Sequence, residues 1–478
     1  MDRIEPSQIR RCPKGLPLSL PTAPDLALTS FPPDPEAPAA PVQWSPLTRL
    51  AFRFAFCYFM LFALCCGNAT IWEIIPFHIG EHLEDWFNWP FTHAGQWLAQ
   101  HLFHIQGVGA KLHDTGSGDT AIAWIALGVM LAVAVLATLA WTIVDESKPR
   151  GTTYPKLLGW FRFTIRLTLG YAMLNYGMAK LFPLQMAPPS LAVLNEPFGN
   201  LSPMTLLWTM IGYNPLYEMT CGAAEVLAGV LILFRRTALA GALLTAFVVT
   251  NVVLYNFFFD VPVKLYAAHL LLMSLVVVVP DLRALFGFFW LHTPTAPTAP
   301  WSPWPRRPIK RLHMGQDTLI IGVCTLLAVG SAGVELGQSA WHQRAGMLHP
   351  APLTGQWHVD SALLDGKPKP YPTGDGLPMT DLFLEPSGRT MLRDSATVLW
   401  RAHAKYDEKK HILTLASEFA GLIDYAVAQP DGSHLVLTPT GKEAKTVGVL
   451  TLTRVPLPSH YPLLDRGFHW VNEWGLER

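Results

Sequence analysis

Nine polar residues lie in or beside long apolar runs: Asn175, Lys180, Glu218, Glu225, Asn251, Asn256, Asp260, Lys264 and His269. An ionisable group at membrane depth is costly, so each must be paired, hydrated or used. A carboxylate, an imidazole and amides at one level could hydrogen-bond a lipid-soluble head group or relay a proton. Their depths follow from the rise of a helix, ~1.5 Å per residue. Asn175 is 7 residues from Phe182, Glu225 is 8 from Tyr217, Asn251 is 8 from Phe259 and His269 is 6 from Val263. All four come out roughly 9 to 12 Å below one membrane face. On the Glu225 segment, Glu218, Cys221, Gly222, Glu225 and Gly229 share a face by their three-and-four spacing, and the glycines permit close helix approach. The expectation is a polar pocket opening outward, lined by Asn175, Lys180, Glu218, Glu225, Asn251, Asp260, Lys264 and His269. Each residue also has a structural alternative. Asp260 can cap the helix that follows and pair with Lys264, four residues on. Lys180 can snorkel from a last turn, Arg162 and Arg166 can reach headgroups, and a Glu-His or Glu-Asn clasp can join helices.

These residues require membrane-spanning helices to position them. The chain of 478 residues is 50% hydrophobic and only 15% charged, which excludes an ordinary soluble enzyme. Lys plus Arg and Asp plus Glu number 35 each, so no basic excess points to nucleic acid. The six cysteines show no CxxC pair or zinc spacing, and no nucleophile or phosphate-loop motif is evident. Seven apolar spans are expected, near 47–66, 120–144, 157–182, 217–234, 237–259, 263–279 and 318–336. Residues 1–46 form a Pro-rich tail. The 67–119 loop, rich in Trp and His, suits helices lying on the membrane surface. Its pairs His78/His82 and His101/His104 are spaced to share a helix face. Thr115 to Thr120 (TGSGDT) reads as a turn in which Asp119 or Thr120 caps the next helix.

Lys and Arg collect in the tail and in the loops 145–156, 235–236 and 281–317, whereas 67–119 and 183–216 nearly lack them. The positive-inside rule then puts the N-terminus in the cytoplasm and residues 340–478 outside it. That last region changes to short alternating runs punctuated by Pro386-Ser387-Gly388, Asp407-Glu408-Lys409 and Pro430-Asp431-Gly432. About eight antiparallel strands fit, as a barrel or sandwich. Gly355-Gln356-Trp357 resembles the Gly-x-Trp opening of lipocalins. The fold class is therefore multi-domain: a transmembrane bundle over 47–336 and an extracytoplasmic β domain, possible kin of lipocalins, over 340–478.

Gly177-Met178-Ala179-Lys180-Leu181-Phe182-Pro183, the Glu225 face with Arg235-Arg236 after it, and Asp260-Val261-Pro262-Val263-Lys264-Leu265-Tyr266 with His269 resemble the four-helix core of DoxX-like membrane proteins. The first two spans, the Thr115 to Thr120 turn, the seventh span and Arg466 to Trp470 resemble larger bacterial members of unassigned function. The resemblance implies a bacterial cytoplasmic (inner) membrane and a redox connection, with a quinone as ligand and an oxidoreductase as partner. This chain lacks the paired cysteines of redox relatives. An accessory subunit binding a quinone or lipid-like molecule is thus favoured over a self-contained catalyst. A proton-coupled transporter using the same pocket and a scaffold for the β domain are the alternatives. The transporter must cross inner helix halves that are almost wholly apolar, with no inverted repeat.

Overall fold

The computed structural model describes residues 44–65, 72, 79–106, 116–145, 153–295, 308–309, 314–348, 351–374, 376–441 and 446–465. Most of the Pro-rich tail, His78, much of the 281–317 linker and Arg466 to Trp470 lie outside them.

Apolar length dictates the first architecture. Helices α1 (Pro46–Cys65), α2 (Ile79–His101), α3 (Ala121–Val144), α4 (Pro155–Leu181), α5 (Leu191–Leu194), α6 (Pro203–Gly212), α7 (Pro215–Leu233), α8 (Ala238–Phe258), α9 (Lys264–Val278), α10 (Leu282–Phe289) and α11 (Gln316–Leu348) follow in order. Five helical stretches are long and apolar enough to cross a membrane: α1, α3, α7, α8, and α9 continued through α10. Seven spans were expected. The other two correspond by position to α4, 27 residues long, and α11, 33 residues long. Lys156, Arg162, Arg166 and Lys180 make α4 less apolar than its neighbours. Among the described residues the 67–119 loop contains one long helix, α2, whose exposed Trp86, Trp89 and Trp97 suit an interfacial belt.

Helices α4, α7, α8 and α9 close into a four-membered ring, and α1 joins α3 and α4 at its flank. The tightest join is α4 against α7, because glycines face backbone there. A Cβ on Gly222 would lie 2.6 Å from the Gly177 carbonyl oxygen, and one on Gly229 would lie 2.8 Å from that of Gly170. Such contacts replace the hydrophobic drive that lipid cannot supply. Arg166 closes the far end of the seam, donating through Nε to the Ile232 carbonyl at 2.9 Å and through a terminal nitrogen to that of Leu233 at 2.5 Å. It satisfies carbonyls that α7 leaves open, rather than reaching headgroups.

The TGSGDT turn does two jobs. Thr120 Oγ1 accepts from Ala123 N at 3.2 Å and caps α3, as expected. Asp119 instead caps α9: its carboxylate accepts from Lys264 N at 2.7 Å and Leu265 N at 2.9 Å. The cap expected of Asp260 is therefore supplied from 145 residues upstream. Asp260, with φ 51°, keeps only its expected ion pair with Lys264 Nζ, at 2.9 Å.

Alternating pattern dictates the second architecture. Strands β1 (Gly355–Leu364), β2 (Met379–Leu384), β3 (Arg389–Asp394), β4 (Leu399–Asp407), β5 (Ile412–Ser417), β6 (Gly421–Ala428), β7 (His434–Pro439) and β8 (Val449–Arg454) each pair antiparallel with the next. Pairing of β8 with β1 closes an up-and-down barrel of eight strands, so the sandwich alternative falls away. Its inward positions are filled by buried Trp357, Leu382, Leu392, Leu413, Leu415, Tyr425, Leu435, Leu437, Leu450 and Leu452. Eight strands give an interior that side chains can fill. Trp357 of the Gly-x-Trp opening donates to the Leu353 carbonyl at 2.8 Å, and Arg454 lies over its ring.

Replacing Asp119 by Ala removes two hydrogen bonds from the α9 N-terminus. The expected loss is about 1 kcal/mol of stability, with Asp119→Asn losing less. Thermal unfolding of the detergent-solubilised protein measures it.

Candidate functional site

The seam fixes the site. Because α4 and α7 approach at glycine, Lys180 near the end of α4 reaches Glu225 in mid-α7. Lys180 Nζ donates to both carboxylate oxygens, at 2.9 and 2.7 Å, and both side chains are buried. The ring of Tyr176 lies 5.7 Å from the same ammonium. Both Glu225 oxygens are thus engaged by one cation, on an inter-helix pair rather than in an open recess.

Glu218, two turns nearer the barrel, is wholly buried. Its Oε1 accepts from Met186 N at 2.8 Å, tying α7 to the loop that follows α4. Its Oε2 has no partner in hydrogen-bonding geometry among the described residues, although the Gln185 backbone lies alongside. An unmatched buried carboxylate oxygen is costly and leaves an acceptor open to a ligand, as does the unpaired Oε1 of the neighbouring Gln185.

His269 points elsewhere. Its Nδ1–H donates to the Leu265 carbonyl at 2.6 Å, which leaves Nε2 to accept from the Tyr58 hydroxyl at 2.7 Å. Phe62 stacks on the imidazole at 4.0 Å between centroids. His269 therefore fastens α9 to α1. Asn175 and Asn251 are exposed on α4 and α8. Asn256 is the buried amide of α8, donating to the Val263 carbonyl at 3.1 Å. The single layer joining Asn175, Glu225, Asn251 and His269 is thereby corrected. The side chains face different neighbours.

Two clusters went unread in the sequence. At the end of the bundle away from the barrel, Arg53 donates to Thr142 Oγ1 at 3.0 Å and to the Tyr154 hydroxyl at 2.6 Å. It also pairs with Asp145, which accepts from Arg49 at 3.1 Å and from Tyr154. This buried clasp joins α1, α3 and α4. At the opposite end the barrel docks on the loop between α4 and α7. Glu385 accepts from Leu191 N at 2.9 Å and Ala192 N at 3.2 Å. Arg393 meets Glu196 at 2.7 Å, and Asn195 donates to the Tyr461 hydroxyl at 2.9 Å. Burial holds the Glu385 carboxyl above its ordinary range, opposed by those two backbone donors and by Arg389. Among the described residues no group of three or more His, Cys, Asp or Glu could hold a metal, and the exposed His101 stacks on Trp97.

Fold and site together define a polytopic membrane protein with a closed eight-stranded barrel docked on one end of its bundle. Comparison with curated proteins adds kinship. The uncharacterized protein YwoB of Bacillus subtilis (strain 168) is 35% identical over 135 residues, 26% of this chain and 80% of that protein. The chain belongs to the same family as YwoB. No family model matches the chain, and no solved structure does.

Removing one partner of the buried Lys180–Glu225 pair strands the other charge, so Glu225→Ala is expected to cost about 3 to 5 kcal/mol. The double variant Lys180→Met/Glu225→Leu should recover most of that loss. Thermal unfolding of the three variants in one detergent checks the pattern.

Proposed function

We propose that this chain is an accessory subunit of a bacterial cytoplasmic membrane that holds its barrel at a fixed height over the extracytoplasmic face, as a platform for a partner oxidoreductase. The observation carrying this reading is the docking clamp. Two carboxylates, Glu385 and Glu196, tie barrel to loop at the end of the bundle where α4 ends and α7 begins. A barrel held only by the α11 connection would not need them. The satisfied state of Glu225 and His269 also supports a fixed support rather than a carrier, because each already has its partners within the bundle.

The distribution of charge supports one orientation. The Asp119 turn, the α4–α7 loop and the barrel gather at one end of the bundle, and Arg49, Arg53 and Arg235 lie toward the other. The positive-inside rule then supports a cytoplasmic N-terminus and an extracytoplasmic barrel. The sequence resemblance of the Gly177 to Pro183, Glu225 and Asp260 to His269 stretches to DoxX-like proteins supports the redox connection.

A second reading rests on Glu218. Its unpartnered Oε2 suits a lipid-soluble hydroxyl donor such as a quinol, entering where α7 meets the barrel. In that reading a quinone-type molecule co-purifies with the protein and is lost in Glu218→Leu.

Breaking the clamp with Glu385→Ala/Arg393→Ala should release a partner protein that co-purifies with the wild type in mild detergent, while Lys180→Met/Glu225→Leu retains it. Quantitative mass spectrometry of the co-purified proteins reads this. Equal capture by clamp-broken and wild-type protein contradicts the platform.

A further inference from the structure

Alternation along β3 and β4 sends Thr390, Leu392, Ala402 and Ala404 toward the barrel interior and their neighbours outward. The register sets Arg389 opposite His403 and Met391 opposite Arg401. Arg389, Arg401, His403 and Lys405 therefore share one outer face, and all four are exposed. Across the next pairing, Lys405 faces Thr414 and His403 faces Ala416, which carry no charge. None of these four residues forms a close ion pair with a carboxylate among the described residues: Glu385 across the β2–β3 turn and Glu218 act on Arg389 only at longer range, Asp407 at the end of the same face pairs with Lys410, and Arg393 further along β3 is matched by Glu196 and Asp381. Like charges set side by side on a sheet are unfavourable unless an anion joins them.

The clamp determines what this face meets. The β2–β3 turn reaches the bundle: Glu385 is bound to α5, and the Pro386 carbonyl packs on Gly346 of α11. Arg389 begins the next strand, close enough to Glu385 and to Glu218 in the first turn of α7 for their charges to interact, with Arg401 opposing its charge. The cationic end of β3 and β4 is thus the end beside the point where α7 enters its apolar stretch.

We propose that Arg389, Arg401, His403 and Lys405 form a seat for the phosphate of an anionic membrane lipid in the leaflet beneath the barrel. A cation near a membrane surface contributes to headgroup attraction, about fivefold in affinity for each Lys or Arg. The seat depends on the docked barrel and the membrane-spanning bundle and is independent of any partner oxidoreductase. The lipid would steady the barrel from below, beside the contacts that Glu385, Arg393 and Tyr461 make with the α4–α7 loop.

Full-length protein in mild detergent, mixed with equal amounts of phosphatidylglycerol and phosphatidylcholine of the same chain length, tests this by native mass spectrometry. Wild type is expected to retain phosphatidylglycerol preferentially. Arg389→Gln/Arg401→Gln should lower that retention by about 25-fold, and Arg389→Lys/Arg401→Lys should keep most of it. If the glutamine pair fails to fold, Lys405→Gln alone should still lower retention by about fivefold. Equal retention of the two lipids by wild type, unchanged retention in the glutamine variants, or displacement of the lipid by millimolar inorganic phosphate would each overturn the proposal. Loss of partner capture with lipid retention intact would instead count against the platform reading alone.

Discussion

Backbone meeting backbone between α4 and α7 is the constraint on which the remainder depends. Gly170 and Gly177 on one helix face Gly229 and Gly222 on the other, with no room for a Cβ at either crossing. In lipid, apolar side chains gain little by leaving the solvent for one another, so close approach and polar matching must hold helices together. The seam supplies the first and makes the second possible: Lys180 reaches Glu225 across it, and Arg166 reaches the last carbonyls of α7. The loop leaving α4 is then fixed at both ends. Glu218 holds it from α7 through Met186, and Glu385 and Arg393 hold the barrel to it.

Buried polar groups in this bundle are matched in separate clasps rather than pooled. Arg53, Asp145 and Tyr154 join α1 to α3 and α4 at one end. Tyr58 and His269 join α1 to α9, and Asp119 joins the start of α3 to the start of α9. Dispersal has a physical rationale. A charge pooled with others in hydrocarbon needs water, whereas a pair needs only its partner. Glu218, by contrast, is half satisfied and adjacent to the barrel, and the cationic strand face lies beside it.

Much of the fold was legible in the sequence, because length and periodicity encode it directly. The apolar runs predicted α1, α3, α4, α7, α8 and α9 within two residues at each end, and the turn-punctuated alternation predicted the strands. The site was less legible. Depth along a helix follows from residue count, but rotation about the axis does not, and Asn251 shows the difference. The buried stripe of α8 runs Ala238, Gly241, Ala242, Thr245, Val249 and Asn256, and Asn251 falls off it on the exposed side. That small-residue stripe was the available signal that Asn256, not Asn251, turns inward. Asp119 and Glu385 left no such trace, since each acts on backbone amides far away in the chain. Local patterns report a residue's own element, whereas these carboxylates serve another.

The most direct test compares two glycines by thermal unfolding. Gly222 lies in the α4–α7 seam, and Gly128 of α3 has open space where a Cβ would go. Gly222→Ala should lower the unfolding temperature of the full-length protein and expose the barrel–loop junction to proteolysis, while Gly128→Ala leaves both unchanged. Equal melting of the two variants would contradict a structure built on that seam.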